Sequence, residues 1–358
     1  MENEDTTIKL QNFIDIKKGE YITRDKENEG IYPVILGGKE PAYYIDRYNH
    51  DGKAIVVSRS GASAGYVSLW NEKIFVTDGF LIEPKNNVSY DYIYYFLKSR
   101  EGVFKLLQGG AAIPHVTPKL LNNLQINLPP LPTQQKIASI LSAYDNLIQN
   151  YKKQIEALQT AASELYKEWF VRFRFPGYQT TKFENGIPEG WKVEKLTKLV
   201  EVKYGKDHSK LDVGNIPVYG SGGIMRYCNK VLYDKETVLI PRKGSLNNIM
   251  YTNNPLWTVD TMFYTVMLKK NIAKYLYYVL SKIDMESFNA GAALPSMTTE
   301  ILSHFKIIVP DNEILESFDK KIAFIFTQID NLQQQITNLT QQRDLLLPRL
   351  MSGKQEVK

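Results

Sequence analysis

"QKIASILSAYDNLIQNYKKQIEALQTAASELYKEW" occupies residues 135–169, and its apolar positions recur at steps of four and three. Ile137, Leu141, Tyr144, Ile148, Tyr151, Ile155, Leu158, Ala162, Leu165 and Trp169 make one sustained heptad seam. A helix puts such positions on a single stripe, so the stretch predicts a long helix built to lie along another. Adding 181 to each position gives Phe318, Ile322, Ile325, Ile329, Leu332, Ile336, Leu339, Arg343, Leu346 and Leu350. The seam therefore recurs in phase with one polar interruption, Arg343. Two rods of about 40 residues, about 60 Å each, are expected.

The ends of the rods are also marked. Pro129, Pro130 and Pro132 exclude helix before Thr133, which can cap the first rod, and the Pro-Gly pair of "FRFPGY" (173–178) ends it. Pro310 and Asp311 open the second. Pro348 lacks a donor N–H, so the second helix is expected to stop or kink near Leu347. At Arg343 three readings stay open: an imperfect helix pair, a partner's carboxylate, or a side chain reaching out past the seam.

The duplication extends to what lies between the rods. "KLQNFIDIKKG" (9–19) matches "KLTKLVEVKYG" (195–205) at an offset of 186, and "IYPV" (31–34) matches "NIPV" (215–218) at 184. "AIVVSRSGASAG" (54–65) aligns with "TVLIPRKGSLNN" (237–248) at 183, "VTDGF" (76–80) with "TVDTMF" (258–263) at 182, and "GGAAIPHVT" (109–117) with "GAALPSMT" (291–298) at 181. Ordered matches with a slowly falling offset mark a tandem repeat. Within each repeat, short β-branched and aromatic runs such as "KAIVVSR" and "MFYTVMLKK" read as strands. "YDYIYYFLKSREGVFKLL" and "IAKYLYYVLSKIDMESF" read as helices.

The expected fold is α+β: two similar globular domains separated by two long helices that form an antiparallel coiled coil, related by a pseudo-twofold. The expected layout is a globule at 1–132, a rod at 133–175, a globule at 176–310 and a rod at 311–358. A twofold of this kind presents two heads at opposite ends of a ruler, as a symmetric DNA-binding dimer does.

The 358 residues allow two or three domains at roughly 100–200 residues each, and 43% hydrophobic with 23% charged residues is an ordinary globular composition. The net charge of +5 is uneven: residues 1–132 hold 15 Lys+Arg against 16 Asp+Glu, whereas 173–310 hold 18 against 12. Only the second segment is basic enough to hint at phosphate. A lone cysteine, Cys228, excludes an intramolecular disulfide. "MENEDTTIKL" has no apolar core, and no run reaches the ~18 apolar residues of a membrane span, so a cytoplasmic protein with no membrane partner is expected.

Catalytic motifs are weak. "EVK" (201–203) and "DIK" (15–17) have the acidic-x-Lys form of a metal-dependent nuclease, but no partner Asp stands at matching places in both halves. A strand with charged outer residues is the favoured reading. "NNPLW" (253–257) departs from an Asn-Pro-Pro-aromatic base-gripping loop at Leu256, and "GSGG" (220–223) lacks dinucleotide-loop spacing. His50, His115, His208 and His304 fall at no metal-ligand spacing. No catalytic residues and no metal site are expected.

Four phrases, "LPPLPTQQKIASILSAYDNLI" (128–148), "ELYKEWFVRFRFPGY" (164–178), "IPEGWKVEKL" (187–196) and "QRDLLLPRLMSGK" (342–354), are similar to those of the specificity (S) subunits of type I restriction–modification enzymes. The resemblance covers essentially the whole chain. It implies that each globule is a target recognition domain for one half of a bipartite double-stranded DNA site. It also implies that the rods are central and C-terminal conserved regions, which set the spacer and dock two methyltransferase (M) subunits. Restriction (R) motor-nuclease subunits join the assembly. By the same resemblance this chain carries no active site, and S-adenosylmethionine, ATP and Mg2+ belong to the partners. The alternatives are a bipartite type II specificity subunit, a metal-dependent nuclease using "EVK", and a coiled-coil adaptor with no DNA preference.

Base edges call for forked donors, and phosphates for smaller ones. "SRSGASAG" and "PRKGSLNN" supply Arg59, Ser60 and Ser63 in the first repeat and Arg242, Lys243, Ser245 and Asn247 in the second, with Gly61 and Gly244 allowing close backbone approach. "AIPHVT" and "ALPSMT" add His115, Thr117, Ser296 and Thr298. Lys17, Lys18, Lys203 and Lys206 are candidate phosphate contacts.

Overall fold

The computed structural model describes residues 8–22, 29–38, 40–85, 87–107, 115–288 and 296–357. The Gly-Ala-Ala part of the repeated phrase, with Pro114 and Pro295, lies outside them. The chain divides into two compact units: Met1–Lys152 with Gln333–Lys358, and Lys153–Leu332. Each unit combines one globule with a portion of both long helices.

The first long helix spans Leu131–Tyr166 and the second Asn312–Met351, about 54 and 60 Å at ~1.5 Å per residue. Every seam position of both helices is buried or half-buried. In the first unit Ile137 lies beside Leu350 and Met351 while Asp145 reaches Arg343, so the helix segments run antiparallel. In the second unit Trp169 meets Phe318 with ring centroids 5.9 Å apart, and Gln159 and Ser163 share a cavity wall with Phe326 and Ile329. The pairing is again antiparallel.

Both helix ends differ from expectation. The first helix starts at Leu131, before Thr133, because Pro132 sits in the first turn, where no intrahelical N–H is needed. Pro130 O accepts from Thr133 N at 2.9 Å and from Gln134 N at 3.1 Å. Pro348 does not stop the second helix, which continues to Met351. One backbone bond is lost, but buried Leu347, Leu350 and Met351 anchor the last turn in the first unit's core, and Ser352 N reaches Pro348 O at 3.1 Å.

A further departure is a π turn at Lys167–Val171. In a regular helix adjacent residues diverge by ~100°, yet Trp169 and Phe170 both bury here. The wider turn delivers both rings to one core, where Phe170 lies 4.8 Å from Phe318 and 4.6 Å from Tyr275.

The two globules share one topology. In the first, a four-stranded antiparallel sheet runs in the order Ile14–Lys18, Gly79–Pro84, Lys53–Ser58, Val67–Asn71. In the second it is Val200–Tyr204, Met262–Met267, Thr237–Pro241, Met250–Thr252. Each has a three-stranded mixed sheet beside it: Tyr43–Ile45, Glu29–Ile35, Phe75–Val76, and correspondingly Gly223–Cys228, Ile216–Gly220, Trp257–Thr258. The glycine kept at the end of the first strand has a reason. A Cβ on Gly19 would stand 2.4 Å from Thr77 O, and one on Gly205 2.0 Å from Val259 O. Tyr90–Ser99 and Ala273–Leu280 are the helices packed on these sheets; the second ends sooner than its pattern suggests, giving way to a 3-10 turn at Met285–Phe288.

Polar joints between strand and helix are reversed in sign. Lys53 pairs with Asp91 at 2.6 Å in the first unit. At an offset of 183 the second unit has Glu236 and Lys274, 2.5 Å apart, with Asp319 at 2.9 Å from the same ammonium. Burial works against the Lys274 charge, but its bonds to Glu236 and Asp319 outweigh it and hold the pKa above the ordinary value.

Candidate nucleic-acid interface

In each unit the strand that carries the arginine leaves the four-stranded sheet and is stitched to the segment after the repeated phrase. Val116 N donates to Arg59 O at 2.9 Å, and Met297 N to Arg242 O at 2.8 Å. Bridges pair Ser60 with His115 and Lys243 with Ser296. Thr117 and Thr298 then cap short helices, accepting from Leu120 N and Ile301 N at 3.2 Å each. The structure thus brings together Arg59, Ser60, His115 and Thr117 in one unit, and Arg242, Lys243, Ser296 and Thr298 in the other.

Gly61 and Gly244 have φ of 79° and 84°, the left-handed region that favours glycine. A Cβ on Gly61 would meet nothing within 4 Å, so turn geometry explains that glycine, not close approach. On Gly244 it would stand 2.7 Å from Ser221 Oγ, because the 220–223 turn packs against this loop.

The arginines are held differently. Arg59 Nε forms an ion pair with Asp78 at 2.8 Å, and Ser60 Oγ donates to the same carboxylate. Arg242 Nη1 donates to Asp260 O at 3.1 Å, and its guanidinium lies 5.3 Å from the Tyr204 ring centroid. Lys18 stands at the position matching Tyr204. It lines, with Arg59, Phe80 and His115, an open cavity of about 370 Å3. One head thus presents a cation-rimmed apolar hollow where the other stacks its arginine on an aromatic ring.

The remaining candidates are dispersed. Lys17 pairs with Glu83 at 2.7 Å on the neighbouring strand. Lys203 bonds to Glu201, which raises its pKa. Lys206 is exposed, and its carbonyl accepts from Trp257 Nε1 at 3.0 Å. Ser63 is half-buried and its carbonyl accepts from Tyr66 N at 2.9 Å; Ser245 is exposed and accepts similarly from Asn248 N at 3.1 Å. Asn247 is engaged within the fold, donating to Asp284 Oδ1 at 3.1 Å and accepting from Met285 N at 2.7 Å. Among the described residues no group of three or more His, Cys, Asp or Glu is placed to hold a metal, and no helix is long and apolar enough to cross a membrane.

Asp78 and Asp260 were not singled out from sequence, although both lie in the aligned "VTDGF" and "TVDTMF". The alignment was the available signal.

Two like α+β heads, each carrying an arginine loop and joined by long heptad helices, define a tandem-repeat specificity protein. The family described as type I restriction modification DNA specificity domain matches residues 3–160 and 188–345. The chain belongs to that family, whose task is DNA sequence recognition. It is 28% identical over 406 residues to the type I restriction enzyme MjaVIII specificity subunit of Methanocaldococcus jannaschii, covering 98% of this chain and 93% of that protein. It is 26% identical over 338 residues to the MjaIX specificity subunit of the same organism, covering 85% and 78%. The crystal structure of a type I restriction–modification S subunit from M. genitalium superposes with a TM-score of 0.64 at 22% identity, over 98% of this chain and 97% of that one. The fold is shared.

Proposed function

We propose that this specificity subunit reads a bipartite duplex site, one half per head, and brings two methyltransferase subunits and restriction motor-nuclease subunits to it in the cytoplasm. Cofactor chemistry, with S-adenosylmethionine, ATP and Mg2+, resides in those partners. One observation carries the reading: the same strand-exit loop, with Arg59 in one head and Arg242 in the other, recurs in the same place of the same topology with different neighbours. Like geometry suits each loop to a groove, and different neighbours suit the loops to different bases. The long antiparallel helices support a fixed gap between the half-sites.

The test is selection of bound sequences from random duplexes by the chain assembled with its methyltransferase. Two conserved blocks separated by a constant gap are expected. A single block, or no preference, would overturn the bipartite reading. The nuclease alternative requires metal-dependent cleavage by the chain alone that Glu201→Ala abolishes.

A further inference from the structure

Beside the second unit's arginine loop stands a hairpin tip with exposed apolar side chains. Gly220 pairs with Gly223, closing the turn over Ser221 and Gly222. The register shifts between Val218 and Tyr219, so Met225 is the extra residue of a β-bulge. Bulges re-aim a side chain, and here Ile224 is 50% and Met225 60% exposed. The strand carrying them is an edge strand.

A cationic loop stands beside this tip. Asn248 Nδ2 donates to Ser221 O at 2.8 Å, tying the turn to the loop of Arg242 and Lys243. On the same strand, Arg226 Nη2 donates to Leu211 O at 2.9 Å and to His208 O, clamping the segment that bears exposed Lys210. That segment also carries two acids, Asp207, which accepts from Ser209 Oγ at 2.7 Å, and Asp212, which accepts from Asn229 Nδ2 at 3.1 Å, so the cationic neighbour of the tip is the loop of Arg242 and Lys243. A small apolar tip beside a cationic loop suits a polyanion with apolar points on its groove edge. Duplex DNA has such a point in the thymine 5-methyl group. In the first unit Leu36, 46% exposed, occupies the corresponding turn, and Ser58 Oγ donates to Gly37 O at 2.8 Å beside Arg59.

The geometry points to Ile224 and Met225 as specificity-determining residues that contact thymine methyl groups in the half-site read by the second head. This rests on the DNA reading proposed above. The experiment takes the full chain with its methyltransferase partner and the selected site, replacing each thymine in turn by deoxyuridine. Loss of one methyl contact is expected to weaken wild-type binding about fourfold at one or two positions of one half-site. The Ile224→Thr/Met225→Gln variant should bind thymine and uracil versions equally, with an unchanged salt slope. Indifference of the wild type to every replacement overturns the proposal, as does thymine preference surviving in the variant, or a variant defect confined to partner assembly. A chain that selects no sequence at all overturns the DNA reading and this proposal together; a selected site blind to methyl groups overturns this proposal alone.

Discussion

Arg343 of the second long helix donates to Asp145 of the first at 2.5 Å, and Tyr95 Oη donates to the other oxygen of that carboxylate at 2.6 Å. The 181-residue offset maps Arg343 to Ala162 and Asp145 to Phe326, so the second unit fills the same place with apolar side chains. The polar interruption of the seam is thus answered within the chain. Burial opposes the Arg343 charge, and its bonds to Asp145 and Asp344 more than offset that, keeping its pKa above the ordinary value. Arg343→Ala strands Asp145 and is expected to cost about 2 kcal/mol, a moderate figure because both side chains are about a quarter exposed. Urea denaturation of Arg343→Ala, Asp145→Ala and the double variant should show the double losing less than the sum of the singles. Strict additivity would mean the pair is not coupled.

Lys274→Met leaves Glu236 and Asp319 facing each other without their cation. A loss of about 2–4 kcal/mol near neutral pH is expected. Because the Lys274 pKa is raised, its contribution is fully present below pH ~10 and is lost as pH rises beyond it. A loss equally large at strongly alkaline pH, measured by chemical denaturation, would contradict this.

Tyr95 and Tyr251 are raised above the ordinary tyrosine range, first by burial and then by hydrogen bonds to Asp145 and Glu236. Folding therefore retains protons that the unfolded chain releases above pH ~10. Their contribution is fully present below that pH and is lost as pH rises beyond it. Tyr95→Phe and Tyr251→Phe should each flatten the alkaline limb of a stability–pH curve. An unchanged limb would sink the assignment.

Arg59→Ala and Arg242→Ala are each expected to relax specificity in one half-site, at about 1–3 kcal/mol of discrimination. Lys18→Ala and Lys206→Ala should weaken all duplexes alike and reduce the salt slope by about 1 each. Binding measured across salt concentrations and mismatched sites separates these outcomes.

Removing one heptad from 137–165 is expected to change the gap between half-sites or abolish activity. An active complex with an unchanged gap would exclude the helices as a ruler.

The helices were legible because their signal is local and periodic, with each seam residue announcing its neighbour three or four places on. Asp145 meets Arg343 across 198 positions, and no local pattern encodes such a partner. The π turn was hidden for another reason: Trp169 and Phe170 are adjacent, and heptad counting assigns a seam position to only one. Pro348 shows a local rule losing to burial of the last turn. In the heads, both arginine loops could be found by alignment. The same alignment held their supports, Asp78 and Asp260, but not how they act, since Asp78 works through its side chain and Asp260 through its carbonyl, a difference identical letters conceal.

The reversed joints at Lys53–Asp91 and Glu236–Lys274 bear on how such a duplicated gene can change. A tandem repeat invites unequal crossing-over between its halves. An exchange falling between strand and helix would set Lys53 against Lys274, or Glu236 against Asp91, in a half-buried site where like charges repel. Exchange of an entire head keeps the strand–helix pair intact, and the second joint travels whole only when Asp319 and the start of the second long helix go with it. The two halves are therefore keyed: a cassette that carries a head with its helix start preserves the pairing, while a hybrid spliced within a head sets like charges against each other.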